Sequence, residues 1–290
     1  MRRNPVDTSK IDVRSTSGRS GRGRKAGGVG CGAIVIALIG AVAFGIDPQQ
    51  TLSILGGLDQ TSPPSQQQDV GQNEEDICNS GPYAREACEA LTNLNETWEA
   101  EFRKYNVPFR QPFLNLFPSG RVETQGCGSA SSASGPFYCP ADYGIYIDTK
   151  FFDQLAKMSG TGGDFARLYV IAHEYGHHIQ NLTGRAQQIR KLQQQNPRLA
   201  NQLLVRLELD ADCLAGVWAG KNRSRIEPGD MEEGLRAASS VGDDTLMRNA
   251  GQRIRPENFT HGTCEQRRDA LLLGLRSGDA SACDVYYDFG

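Results

Sequence analysis

The stretch His173-Glu174-Tyr175-Gly176-His177-His178 contains the pattern H-E-x-x-H, and three of the four histidines in the chain fall within these six residues. Around it Phe165, Leu168, Ala172, Tyr175, Ile179 and Leu182 recur at three- and four-residue spacing, with Asp164 placed to cap the start and Gly184 just past the end. The spacing predicts a helix from Asp164 to Thr183 that carries the motif. Residues four apart on a helix share a face, so the imidazoles of His173 and His177 can reach one zinc ion at about 2.0 to 2.1 Å. Glu174 then projects beside them, toward the position a catalytic zinc keeps open for water.

A third protein ligand must come from elsewhere. The metzincin pattern would place Gly at 180 and His at 183, where this chain has Gln180 and Thr183. A second helix starts at Pro197, with Leu199, Leu203, Leu207, Ala211, Leu214 and Trp218 recurring before Gly220. Glu208 and Asp212 lie one turn apart on it, beside Ala211 and Ala215, small residues that allow close approach to a neighbouring helix. Asp210 points roughly the opposite way. We assign Glu208 as the third ligand and Asp212 as the acceptor that holds the free N–H of a zinc-bound histidine, which of the two being open. H-E-x-x-H also arises by chance in core helices. The second helix gives it weight, because a core helix gains nothing by burying two histidines and a glutamate without a charge partner.

The chemistry that follows is hydrolysis of a carbonyl compound: one zinc ion acidifies its water, and Glu174 takes the proton and returns it to the leaving amine. His261, the remaining histidine, is available to stabilise the oxyanion. Its competing reading is a plain loop residue before a helix capped by Thr263 with Gln266 three residues on. His178 is rotated about 100° from His177 by helix geometry and stays outside the site, solvated or in a supporting role.

Outward from this centre, Cys88, Leu91, Leu94, Trp98, Phe102 and Tyr105 mark an earlier core helix ending at Pro108, and Gly, Ser and Pro from Thr124 give way to alternation over Tyr143 to Asp148. That short strand is either an edge able to pair with an extended peptide or an ordinary core strand. Residues 78–290 form the predicted zinc-binding domain, an α+β, zincin-like fold with a small, mainly antiparallel sheet beside the two site helices. The cysteines beyond residue 47 suit an oxidising compartment: Cys78 to Cys88, Cys127 to Cys139 and Cys264 to Cys283 are plausible short loops, leaving Cys213 as a buried free thiol. No C-x-x-C pair supports a cysteine zinc cluster.

The net charge of -3 conceals an asymmetry: residues 1–26 carry eight Lys or Arg against Asp7 and Asp12, leaving the remainder acidic. Residues 1–26 read as a disordered basic cytoplasmic tail. Residues 27–46 carry no charge and are long enough for a transmembrane helix. Residues 47–77, with Pro63-Pro64 and Gln66 to Gln68, read as a polar linker. Basic residues before the apolar run keep the N-terminus cytoplasmic and send the domain across a cell membrane. A signal peptide cut after Ala41-Val42-Ala43 competes, but the 26-residue leader is long for one. The acidic remainder argues against a nucleic-acid partner.

The stretches Gly135-Pro-Phe-Tyr-Cys-Pro140, Tyr146-Ile-Asp148, His173 to Gln180, Glu208 to Trp218 and Thr260-His-Gly-Thr263 followed by Glu265-Gln-Arg267 together resemble the bacterial membrane-anchored neutral zinc metallopeptidases. Cys264 stands where that family often has Ser. The resemblance implies His173 and His177 as ligands and Glu174 as the catalytic residue, with a protein or peptide substrate. Two rival functions remain: a zinc amidase acting on cell-wall peptides, and a non-catalytic scaffold with a structural zinc.

Overall fold

The computed structural model describes residues 1–2, 5–16, 73–117 and 120–288. Helical periodicity governs most of them. After the short α1 (Glu74–Cys78), α2 (Pro82–Lys104) begins with proline in its first turn and buries Leu91, Leu94 and Trp98 along one face. Then come α3 (Phe151–Ser159), α4 (Asp164–Leu182), which carries the motif, and α5 (Arg185–Gln195). A 3-10 turn at Pro197–Leu199 leads into α6 (Ala200–Lys221), and α7 (Asp230–Ser240), α8 (Asp243–Asn249) and α9 (Cys264–Ser277) complete the bundle. The Thr263 and Gln266 capping box opens α9 as the sequence predicts.

The protein is thus a mixed α+β fold, mostly helical, with small sheets. Helix α4 lies at its centre, touching α2, α6 and α7, and its Tyr175 hydroxyl donates to Asn95 of α2 at 2.8 Å. Helices α6 and α9 pack almost backbone to backbone. A Cβ on Gly274 would lie 1.9 Å from the Cys213 carbonyl oxygen, so only glycine fits there.

The main sheet has strand order β1 (Asp12–Ser15), β2 (Phe113–Phe117), β6 (Gly144–Asp148) and β5 (Phe137–Cys139); β3 (Arg121–Glu123) and β4 (Ser129–Ser131) form a separate hairpin. It is not mainly antiparallel as expected: β1 with β2 and β2 with β6 are parallel, and only β5 with β6 is antiparallel. More than two dozen residues separate β2 from β6, enough to return the chain for parallel pairing, a connection that strand periodicity does not reveal. The edge reading of residues 143–148 is also corrected. β6 is internal, paired on both sides and buried throughout.

The tail expected to lack structure contributes to this sheet. Asp12–Ser15 pairs with Phe113 to Leu116, while Ile11 and Val13 are buried and the Met1 amino group ion-pairs with Asp164 and Asp230. Two apolar residues in alternation are too few to stand out in a basic segment. They gain order because β2 would otherwise present a bare backbone edge. The expected membrane helix at 27–46 and most of the expected linker lie outside the described residues; among those described, no helix is long and apolar enough to cross a membrane.

Disulfides join Cys78 to Cys88 and Cys127 to Cys139, as expected. The third differs: Cys213 bonds Cys283, and Cys264 is free, its thiol donating to Asp244. The C-terminal 3-10 segment Ala280–Tyr286 lies against α6, which brings together residues 70 apart in sequence that short-loop spacing would never pair.

Candidate metal centre

Helices α4 and α6 cross where Gly176 faces Ala211. A Cβ on Gly176 would stand 2.9 Å from the Ala211 carbonyl oxygen, so the glycine inside the motif sets how closely the helices meet. Their approach carries Glu208, 1% exposed, between the two imidazoles: its Oε2 is 3.2 Å from His173 Nε2 and its Oε1 is 3.4 Å from His177 Nε2. The three donor atoms lie within 4.8 Å of one another. The structure brings together the three residues assigned from spacing.

What lies behind the imidazoles fixes their protonation. His173 Nδ1 is 2.8 Å from Asp212 Oδ1, and Asp212 also accepts from the Tyr169 hydroxyl and, through both oxygens, from Arg267. His177 Nδ1 is 2.8 Å from Gln180 Oε1. The Gln180 amide has one orientation, because its Nε2 donates to the Leu207 carbonyl and to Asp210 Oδ2. Both Nδ1 atoms therefore face acceptors and carry protons, so in the neutral imidazoles both Nε2 atoms turn bare lone pairs toward the Glu208 carboxylate. Glu208 Oε1 is buried and has no hydrogen-bond partner among the described residues. Three converging lone-pair donors repel unless a positive charge, either a proton or a metal cation, stands among them. Two imidazole nitrogens and one carboxylate oxygen form a donor set that suits Zn2+.

The electrostatics agree. Burial alone would push His173 down, yet the Asp212 and Glu208 carboxylates raise it to about 10. Burial opposes ionisation of Glu208 and Asp212 too, but the imidazoles hold Glu208 well below the ordinary range, and Arg267 and His173 hold Asp212 at about 2. The pocket is built to gather positive charge.

Beside the triad is a cavity of about 390 Å3, lined by His173, His177, Glu208, Glu174 and His261 among others. Glu174 has no hydrogen bond from any described side chain, and burial raises its pKa. His261 is 2% exposed; its Nδ1 lies 3.1 Å from Asp243 Oδ1, and its Nε2 is buried without a partner among the described residues. Asp243 is itself fixed by the backbone N–H groups of Thr260, His261 and Gly262. His178 is neither ligand nor solvated. It is fully buried, receives the Tyr138 hydroxyl on Nδ1 and lies 2.7 Å from the Arg110 carbonyl through Nε2, because the next residue along a helix turns from the cavity into the core.

Asp210, read as pointing away, is fully buried and belongs to the support of His177 through Gln180. Helix phase was right about its direction relative to Glu208, but α5 and the C-terminal segment cover that face with Arg185 and Tyr287. Gln180 and Arg267 escaped assignment. The signal for Gln180 was its position three residues after His177, on the same helix face. Arg267 had no local signal beyond its place after Glu265-Gln266.

The chain matches the family described as "Putative neutral zinc metallopeptidase" over residues 2–286. It belongs to that family. Similar proteins include the uncharacterized YpfJ of Escherichia coli K12, 39% identical over 265 residues covering 89% of this chain and 87% of YpfJ. The uncharacterized Rv2575 of Mycobacterium tuberculosis H37Rv is 38% identical over 263 residues, 85% of each chain. No solved structure matches. Family membership implies zinc, in agreement with the donor set of His173, His177 and Glu208.

Proposed function

We propose that this protein is a zincin-type peptidase that hydrolyses peptide bonds with one zinc ion held by His173 Nε2, His177 Nε2 and Glu208. The observation that carries this reading is the convergence of three lone-pair donors beside Glu174, a carboxylate free of described hydrogen-bond partners, at the wall of a cavity. Bound zinc supplies an acidified water and polarises the carbonyl to be attacked. Glu174 accepts the water proton on its carboxylate and delivers it to the leaving amine; burial, by raising its pKa, suits it to both halves of that cycle. Asp212 and Gln180 hold the two imidazoles with Nε2 forward. His261, its ring oriented by Asp243 on Nδ1, lines the cavity and offers Nε2 to the developing oxyanion.

The decisive test pairs two substitutions in purified protein. Glu174→Gln is expected to keep its zinc while peptide hydrolysis falls by about 10²–10⁴-fold; undiminished hydrolysis removes Glu174 from the mechanism. Glu208→Ala is expected to lose zinc, and unchanged metal content removes Glu208 from the ligand set. Cell-wall peptides assayed beside protein substrates separate the peptidase from the amidase.

We further propose that the domain works outside the cytosol, which its three disulfides support. The single-pass orientation with a cytoplasmic N-terminus then requires β1 to leave the sheet, since one crossing by residues 27–46 would part it from β2. Cysteines placed at Ser9 and Asn106 are read with a membrane-impermeant thiol reagent on intact cells. Labelling at Asn106 alone supports the single-pass orientation; labelling at both places β1 with the domain and overturns it.

A further inference from the structure

The cavity beside the metal centre carries two guanidinium groups, and they differ sharply. Arg267 is 2% exposed and saturated: Asp212 takes it through both oxygens, and it also donates to the Tyr169 hydroxyl and the Val241 carbonyl. Arg190, on α5, is half-buried and makes no hydrogen bond or ion pair with any described residue. Its helix neighbour Arg185 shows that α5 need not leave such groups idle, for Arg185 binds both Asp210 and Asp284. Helix α5 has no acidic residue of its own, while Gln193 and Gln194 from the same helix and Asn201 from α6 line the cavity with Arg190. The remaining charged groups on the lining, His173, Glu174, His177, Glu208 and His261, belong to the metal centre and its immediate surroundings. The cavity thus has a metal end and a second polar wall of amides around one uncommitted cation.

We infer that Arg190 is a specificity residue that receives a carboxylate of the bound substrate, so that the peptides preferred are those with an acidic group near the bond to be cut. A planar guanidinium with its donors free matches a carboxylate in two parallel hydrogen bonds, and partial burial limits competition from water. The carboxylate can be an Asp or Glu side chain or the free C-terminus of a short peptide. This inference rests on the peptidase reading for its substrate, and Arg190 takes no part in the chemistry.

The test uses the zinc-loaded full chain and four peptides of otherwise identical sequence: one with Glu near the scissile bond and an amidated C-terminus, one with Gln there and a free C-terminus, one with both carboxylates and one with neither. In the wild type, kcat/KM is expected to favour a carboxylate-bearing peptide over the neutral one by about tenfold, the size of one charge-assisted hydrogen bond. The two single-carboxylate peptides distinguish side chain from C-terminus. Arg190→Gln is expected to erase that ratio, with the change in KM, and Arg190→Lys to restore it partly. Equal ratios in wild type and Arg190→Gln overturn the inference. Binding of the same peptides to Glu174→Gln protein, followed by fluorescence anisotropy with and without Arg190→Gln, reads Arg190 independently of turnover. If the wild type cleaves none of the peptides while the anisotropy preference for carboxylate disappears with Arg190, the peptidase reading falls and the carboxylate site stands. If the anisotropy preference is absent or survives Arg190→Gln, the carboxylate site falls whatever the turnover.

Discussion

The two imidazoles of the metal centre are supported in unlike ways. Behind His173 stands a charged chain sealed in the core, Asp212 followed by Arg267, both essentially unexposed. Behind His177 stands a neutral amide, Gln180, then Asp210, and then Arg185, whose side chain is 21% exposed. Burial opposes ionisation of both Asp212 and Asp210, yet they end apart: Arg267 and His173 pull the first to about 2, whereas burial raises the second to about 6 despite Arg185. A carboxylate against Nδ1–H makes an imidazole a stronger donor as well as orienting it, whereas an amide chiefly orients. One histidine is therefore electronically reinforced and the other is geometrically aimed.

Removing the far end of each chain should expose this asymmetry most visibly. In metal-free protein, Arg267→Leu is expected to cost about 3–5 kcal/mol in urea unfolding, because it removes the partner that takes both oxygens of a buried carboxylate. Arg185→Leu is expected to cost no more than about 1 kcal/mol, since Asp210 near pKa 6 readily takes a proton and Arg185 reaches solvent. Equal losses would mean that the two chains are equivalent.

His178 extends the comparison to an imidazole with no carboxylate behind it. Burial lowers it to about 4 from an ordinary 6.5, so between these values the unfolded chain binds a proton that the folded chain refuses. Stability is therefore lost as pH falls from about 6.5 to about 4, by roughly 3 kcal/mol, and this component levels off below. Unfolding of chelated protein at pH 7 and pH 4 should show a smaller acid loss in His178→Gln than in the wild type. An identical pH dependence would show that His178 takes a proton without cost in the fold.

The finest discrimination lies in metal affinity, measured by competition with a chromophoric chelator. Asp212→Asn is expected to weaken zinc binding by 10–100-fold, the usual effect of removing a group that supports a ligand. Gln180→Met should fall at or below about tenfold, since it loses aim but no charge. A larger loss from Gln180→Met than from Asp212→Asn would reverse the assignment of reinforcement and aim.

How much of this was readable beforehand follows from the range of each interaction. Glu208 and Asp212 could be placed because both sit at fixed angles on one helix, and Ala211 announced the close crossing that Gly176 completes. The capping box of Thr263 and the bonds of Cys78 to Cys88 and Cys127 to Cys139 are equally local. The role of Asp210 was hidden for the opposite reason, since helix phase gave its direction but not the Gln180, Arg185 and Tyr287 side chains that occupy it.

The sequence by itself determined the periodic helices, the spacing of the two imidazoles and the carboxylates facing them, because 3.6 residues per turn converts separation along the chain into angle. Only the tertiary structure decided that β1 joins β2 in parallel, that Cys213 meets Cys283, that Arg267 neutralises Asp212 and that Arg190 reaches the cavity without a partner among the described residues. Each of these depends on which segments, tens to hundreds of residues apart, share a surface, and burial of that surface carries no periodic mark in either partner alone.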